Sequence, residues 1–310
     1  MDCRKFVLVA AVMAGCCMEM AAQTDAGLSE SYAKRYNLIV SKLGYDGVGV
    51  ETVLTQWEKA DSLNTDMLTA WFNYWFTKAQ SEEVVVKTQK RYLGAEPLLS
   101  LKDSTGADIY YFQEVFYDDG MFSKAMKYLD KAISEEPLRL DLRFTKVASL
   151  MSYEKDSPDM ALSYLLALAD RNAGEDCKWE YPGYEISEDF YTQAMQEYCF
   201  AFYRLGTPSS YNAFRTLSER MLLDDPKNTV FLTNMGTYDF IVAKDFKSAL
   251  KYYKKALKIA PDDYTALKNC VLLARQQKNK NMEKKYLASF VKVAADDEKA
   301  AAEARLQYLQ

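Results

Sequence analysis

The feature that most constrains this chain is an internal repeat. The segment Tyr110–Pro137 reads YYFQEVFYDDGMFSKAMKYLDKAISEEP and the segment Asn234–Pro261 reads NMGTYDFIVAKDFKSALKYYKKALKIAP, and the two align on their prolines. Each carries two alanines seven residues apart, Ala125 with Ala132 and Ala249 with Ala256. An aromatic precedes the first alanine (Phe122; Phe246), a large residue stands between the two (Leu129; Tyr253), and a proline follows the second. Seven residues are close to two helical turns, so each set shares one helix face. Alanine lets a neighbouring helix approach closely, the large residues fill the groove, and proline stops the helix. Such a chain folds as a series of helix pairs, each burying its apolar face on the next.

The composition fits that expectation and removes several chemistries. Half of the 310 residues are apolar (49%), while Gly 12 and Pro 7 are low counts for the length. There is no histidine, so His-based acid–base catalysis and His-containing metal sites are excluded. No nucleotide-binding glycine motif, metalloprotease helix or nucleophile elbow occurs, so we expect no catalytic residue, metal or cofactor. Acidic residues outnumber basic ones, 44 to 39, which disfavours a sequence-independent grip on nucleic acid. The acidic pairs, among them Asp118-Asp119, Asp224-Asp225 and Asp262-Asp263, sit at helix junctions and read as helix caps. The run Lys247, Lys251, Lys254, Lys255 and Lys258 reads as a solvated helix face.

In the first segment Phe112, Phe116, Gly120, Phe122, Ala125, Leu129, Ala132 and Pro137, and in the second Leu232, Met235, Gly236, Ala249, Tyr253, Ala256 and Pro261, resemble the tetratricopeptide repeat, a helix–turn–helix unit of about 34 residues. In the second, the turn Val242-Ala243-Lys244-Asp245 is one residue longer than the pattern. Weaker units cover Ser31–Thr65, Leu140–Ala169, Tyr191–Pro226 and Tyr264–Val293. The resemblance implies an all-α, right-handed solenoid of helix pairs. With Trp57-Glu58-Lys59-Ala60-Asp61 and Ala70-Trp71-Phe72-Asn73-Tyr74, the chain is similar to exported bacterial proteins of this kind. That resemblance implies a protein-binding scaffold and no enzymatic activity.

Residues 1–23 read as an export signal: Arg4 and Lys5, then ten apolar residues from Phe6 to Gly15, too few to span a bilayer. Met13-Ala14-Gly15-Cys16 resembles a lipoprotein signal, with Met13 where leucine is usual, and would place a lipid on Cys16. The alternative is cleavage near Gln23. Either route leads to the periplasm or outer membrane, with membrane contact only through an N-terminal lipid. The remaining divisions are helical repeats over 24–79, an insertion over 80–108, repeats over 109–169, an aromatic loop over 170–187, repeats over 188–294, and a capping helix over 295–310. In the insertion, Val84–Thr88 and Leu98–Lys102, separated by Gly94 and Pro97, predict a small β-hairpin. Cys177, Cys199 and Cys270 allow at most one disulfide.

First helices of such repeats line a concave groove. The resemblance therefore implies that Tyr110, Glu114 and Tyr117, Cys199 and Tyr203, and Val230, Thr233 and Thr237 face a bound protein or peptide. A second reading uses the loop, whose Trp179, Tyr181 and Tyr184 could stack on the flat faces of a glycan or small ligand.

Overall fold

A computed structural model describes residues 27–174, 178–187 and 189–309. The segment read as an export signal, with Cys16, and Cys177 lie outside the described residues. The chain divides into two compact units: one holds the residues up to Val86, Tyr111–Lys146 and Lys178–Tyr184, the other Lys87–Tyr110, Val147–Cys177 and Glu185–Gln310. The class is all-α, tandem helix pairs with a small sheet inserted. No described helix is long and apolar enough to cross a membrane.

In the first unit, helices α1 (residues 27–43), α2 (Val50–Ala60) and α3 (Thr65–Lys78) precede the sheet, and α4 (Asp119–Glu135) follows it. Asn64 caps α3 by accepting the Met67 N–H at 2.9 Å, and Asp118 caps α4 by accepting the Met121 N–H at 2.7 Å. The alanine stripe does what its spacing predicts. Ala125, Leu129 and Ala132 are fully buried, in one core with Leu54, Trp57, Met67 and Trp71. Tyr128 of α4 stacks on Trp71 of α3 with ring centres 5.4 Å apart.

The helix that α4 packs on is therefore α3, and this corrects the first repeat. Residues Asp108–Tyr117 form strand β3, not a first helix. Strands β1 (Gln80–Lys87) and β2 (Leu99–Lys102) form where the insertion predicts strands, yet they are not a hairpin, because β3 lies between them in the order β1-β3-β2. The insertion thus runs to Tyr117 and sits inside a helix pair rather than between two repeats. Its two ends meet: the Asp118 N–H donates to the Ala79 carbonyl at 2.8 Å.

Helix α5 (Leu140–Glu154) continues from the first unit into the second, which contains α6 (Asp159–Gly174), α7 (Phe190–Leu205), α8 (Pro208–Asp224), α9 (Thr229–Tyr238), α10 (Phe246–Ile259), α11 (Tyr264–Gln276), α12 (Lys280–Phe290) and α13 (Asp296–Tyr308). From α7 to α13 each helix packs on the next. Asp263 caps α11 at 2.8 Å, as the acidic-pair reading expects. In the α9–α10 pair, Ala249, Tyr253 and Ala256 are fully buried, and a Cβ on Gly236 would lie 2.5 Å from Tyr253 Cε1. The extra residue of the turn is absorbed by a π-helical turn at Asp239–Ala243, closed by Lys244 at φ 58°.

The last helix, α13, has a weak apolar stripe and is fastened by charge. Glu283, 2% exposed, accepts from Arg305 at 2.8 and 2.9 Å and from Arg275 at 2.7 Å. The Arg305 hydrogen bonds hold its carboxyl below the usual glutamate range, against the opposing effect of burial.

Two predictions follow from this packing. Gly236→Ala should destabilise the protein by about 1–3 kcal/mol in urea unfolding, because the methyl meets a ring that cannot move. A stabilising effect, the usual result of Gly→Ala in an open helix, would contradict the close approach. Because the Glu283 pKa is lower folded than unfolded, its contribution is complete above the unfolded value and is lost as pH falls through the folded one. The urea midpoint should therefore drop more between about pH 5 and pH 3 in the wild type than in Glu283→Gln; equal drops would refute the clasp.

Candidate functional site

Strand β1 forms because Val84-Val85-Val86 are β-branched and follow a helix end at Ala79. It is an edge strand, and its outer side has no strand beside it among the described residues. Val84 and Val86 point to one face and are 62% and 52% exposed, while Val85 on the other face is half-buried. Glu82 accepts from Gln113 Nε2 of β3 at 2.5 Å, which fixes the start of β1 on its neighbour. The inner side of this part of the sheet is anchored: Phe112 is buried, and Tyr117 packs its ring on Phe76 and Phe122, with centres 5.6 and 5.7 Å away. An eight-residue edge strand with no proline and two exposed valines is the kind of edge that pairs with another chain.

The residues expected to line a groove are scattered by the structure. Tyr110, Glu114 and Tyr117 lie on β3, half-buried within the sheet. Cys199 is fully buried, 3.5 Å from Ser218 Oγ, with burial pushing its thiol up to about 12. Thr233 is buried as well. Both occupy helix faces that meet the neighbouring helix, so neither can touch a partner. Thr237 is half-buried and engaged, accepting from Asn269 Nδ2 at 3.2 Å. Val230 alone of the α9 positions is exposed, and Tyr203 is half-buried against Tyr211 and Phe214. Cys199 and Cys270 are free thiols.

Residues 178–184 of the aromatic loop belong to the first unit. The Glu180 N–H donates to the Leu138 carbonyl, and the Leu140 N–H to the Glu180 carbonyl, both at 2.9 Å. The Arg143 guanidinium lies over the Trp179 ring, 5.6 Å from its centre, and also donates to the Pro137 carbonyl at 2.8 Å. Tyr181 and Tyr184 meet edge to face with centres 5.3 Å apart, and Tyr184 is 71% exposed. The five lysines of α10 are exposed. Among the described residues no group of acidic or cysteine side chains could hold a metal ion.

No family model matches the chain, and no curated protein matches it. Among solved structures, one from the functional characterisation of Pseudomonas aeruginosa pilF is similar over 91% of this chain and 99% of that one, at 9% identity and a TM-score of 0.37. A likeness that weak carries no argument about this chain.

If Trp179 serves the fold, Trp179→Ala should cost about 1–3 kcal/mol in urea unfolding, while Tyr184→Ala stays within about 0.5 kcal/mol. The reverse order would show the loop to be a free surface.

Proposed function

We propose that this protein is an interaction scaffold, and that a partner protein binds by adding a β-strand along the outer edge of β1. The observation that carries this reading is the edge itself, which has no strand beside it among the described residues and carries exposed Val84 and Val86. In strand addition the backbone hydrogen bonds supply affinity, and alternate side chains supply selectivity. Val84 and Val86 are the alternate pair here. Buried Cys199 and Thr233 move the binding surface away from the helical groove that the repeat resemblance implies. The reading includes no catalysis. The export signal read from residues 1–23 supports a partner in the cell envelope.

A photo-reactive residue in place of Glu83, in the full-length protein in its native cells, tests this. The expected result is a cross-linked partner protein whose yield falls about tenfold when Val84 and Val86 are both changed to lysine, with the urea midpoint unchanged. Lysines on an edge oppose pairing without touching the core. No adduct, or an adduct that survives the lysines, would overturn the reading.

A further inference from the structure

A second candidate site lies wholly in the second unit. The tight turn Tyr92–Ala95, closed by hydrogen bonds of 2.9 and 3.2 Å, is set against the end of α7 and the start of α8. Between them is a cavity of about 490 Å³. Its lining carries two arginines, Arg91 and Arg204, and no acidic residue. We propose that this pocket binds an aromatic carboxylate, either as a free small molecule or as the C-terminal aromatic residue of a peptide.

Three features support that chemistry. The Arg204 guanidinium has no carboxylate partner among the described residues and lies over the Phe200 ring, 5.7 Å from its centre. Stacking on an aromatic face orients the planar fork, which matches a carboxylate with two parallel hydrogen bonds. Arg91 stands in the same lining and faces an exposed Glu96 at 3.7 Å, an ion pair weak enough to be exchanged for a ligand. The second feature is an aromatic lining. The rings of Tyr203 and Tyr211 lie 5.6 Å apart and tilted by 59°, and Phe200, 50% exposed, lines the same cavity, so a planar ring has faces and edges to pack on. Burial raises the pKa of the Tyr203 hydroxyl, so it stays a neutral donor rather than adding negative charge.

The third feature is that the pocket is preset. Leu93 and Gly94 both have positive φ, 49° and 76°, an unfavourable state for leucine. A Cβ on Gly94 would lie 2.5 Å from the Arg204 carbonyl oxygen, so backbone touches backbone at this point. The turn therefore holds its shape against the residue that carries the free guanidinium. The cavity volume falls within the range of about 300–1,000 Å³ typical of small-ligand sites.

Titration calorimetry on the full-length protein tests the proposal with four probes: N-acetylphenylalanine, its C-terminal amide, acetate, and a tetrapeptide ending in phenylalanine with a free carboxylate. The expected result is binding of the acid, with the amide and acetate each weaker by about tenfold or more. Arg204→Gln should weaken the acid about tenfold, while Arg204→Lys retains part of the affinity, both with an unchanged urea midpoint. Equal affinity for acid and peptide would assign the site to a free small molecule, and a much tighter peptide would assign it to a chain end. Equal binding of acid and amide, an Arg204→Gln protein that binds as the wild type does, or no binding of either acid or peptide at millimolar concentration would overturn it.

Discussion

The close approach of helices within a pair is the constraint on which this structure depends. In the second unit Gly236 of α9 and Tyr253 of α10 meet at a distance that leaves no room for a single methyl group. Ala249 and Ala256 flank Tyr253 on the same buried face. In the first unit Ala125 and Ala132 do the same around Leu129, against α3. Small residues bring the backbones together, and one large side chain fills what is left. The result is interior packing built mainly from short local helices.

That logic also decides what could be read from the sequence. The alanine–proline spacing found α4 and α10, and the acidic pairs found caps at Asp118 and Asp263, because a helix face and a cap are local properties. The strand β3 reads as a helix in the sequence for a physical reason. Phe112 and Phe116 are four apart, as on a helix, but Tyr110, Phe112, Glu114 and Phe116 also alternate as on a strand, and a ten-residue aromatic-rich segment cannot distinguish the two. Only the tertiary partner does so, since α3 already occupies the place of a first helix. Repeat position alone puts Cys199 and Thr233 in a groove, whereas their burial depends on how the adjacent helix packs, as Ser218 of α8 does on Cys199. The exposed edge of β1 is not legible in the sequence because it follows from strand order, which no local pattern encodes.

The insertion enters and leaves the helix pair at one point, where the Asp118 N–H meets the Ala79 carbonyl. A segment joined in this way can change without altering the spacing of α3 and α4, as surface insertions commonly do. The helices then supply stability and the inserted strands supply a surface. This division matches the side chains: the helix faces at the pair interfaces are filled, while β1 keeps two valines in solvent.

The most direct test of that division is to replace residues 81–116 with a short glycine turn and to measure, in one preparation, helical content and partner capture. Our account predicts a cooperatively melting helical protein that no longer captures the partner. A deletion protein that still captures it would place binding on the helices and contradict the account.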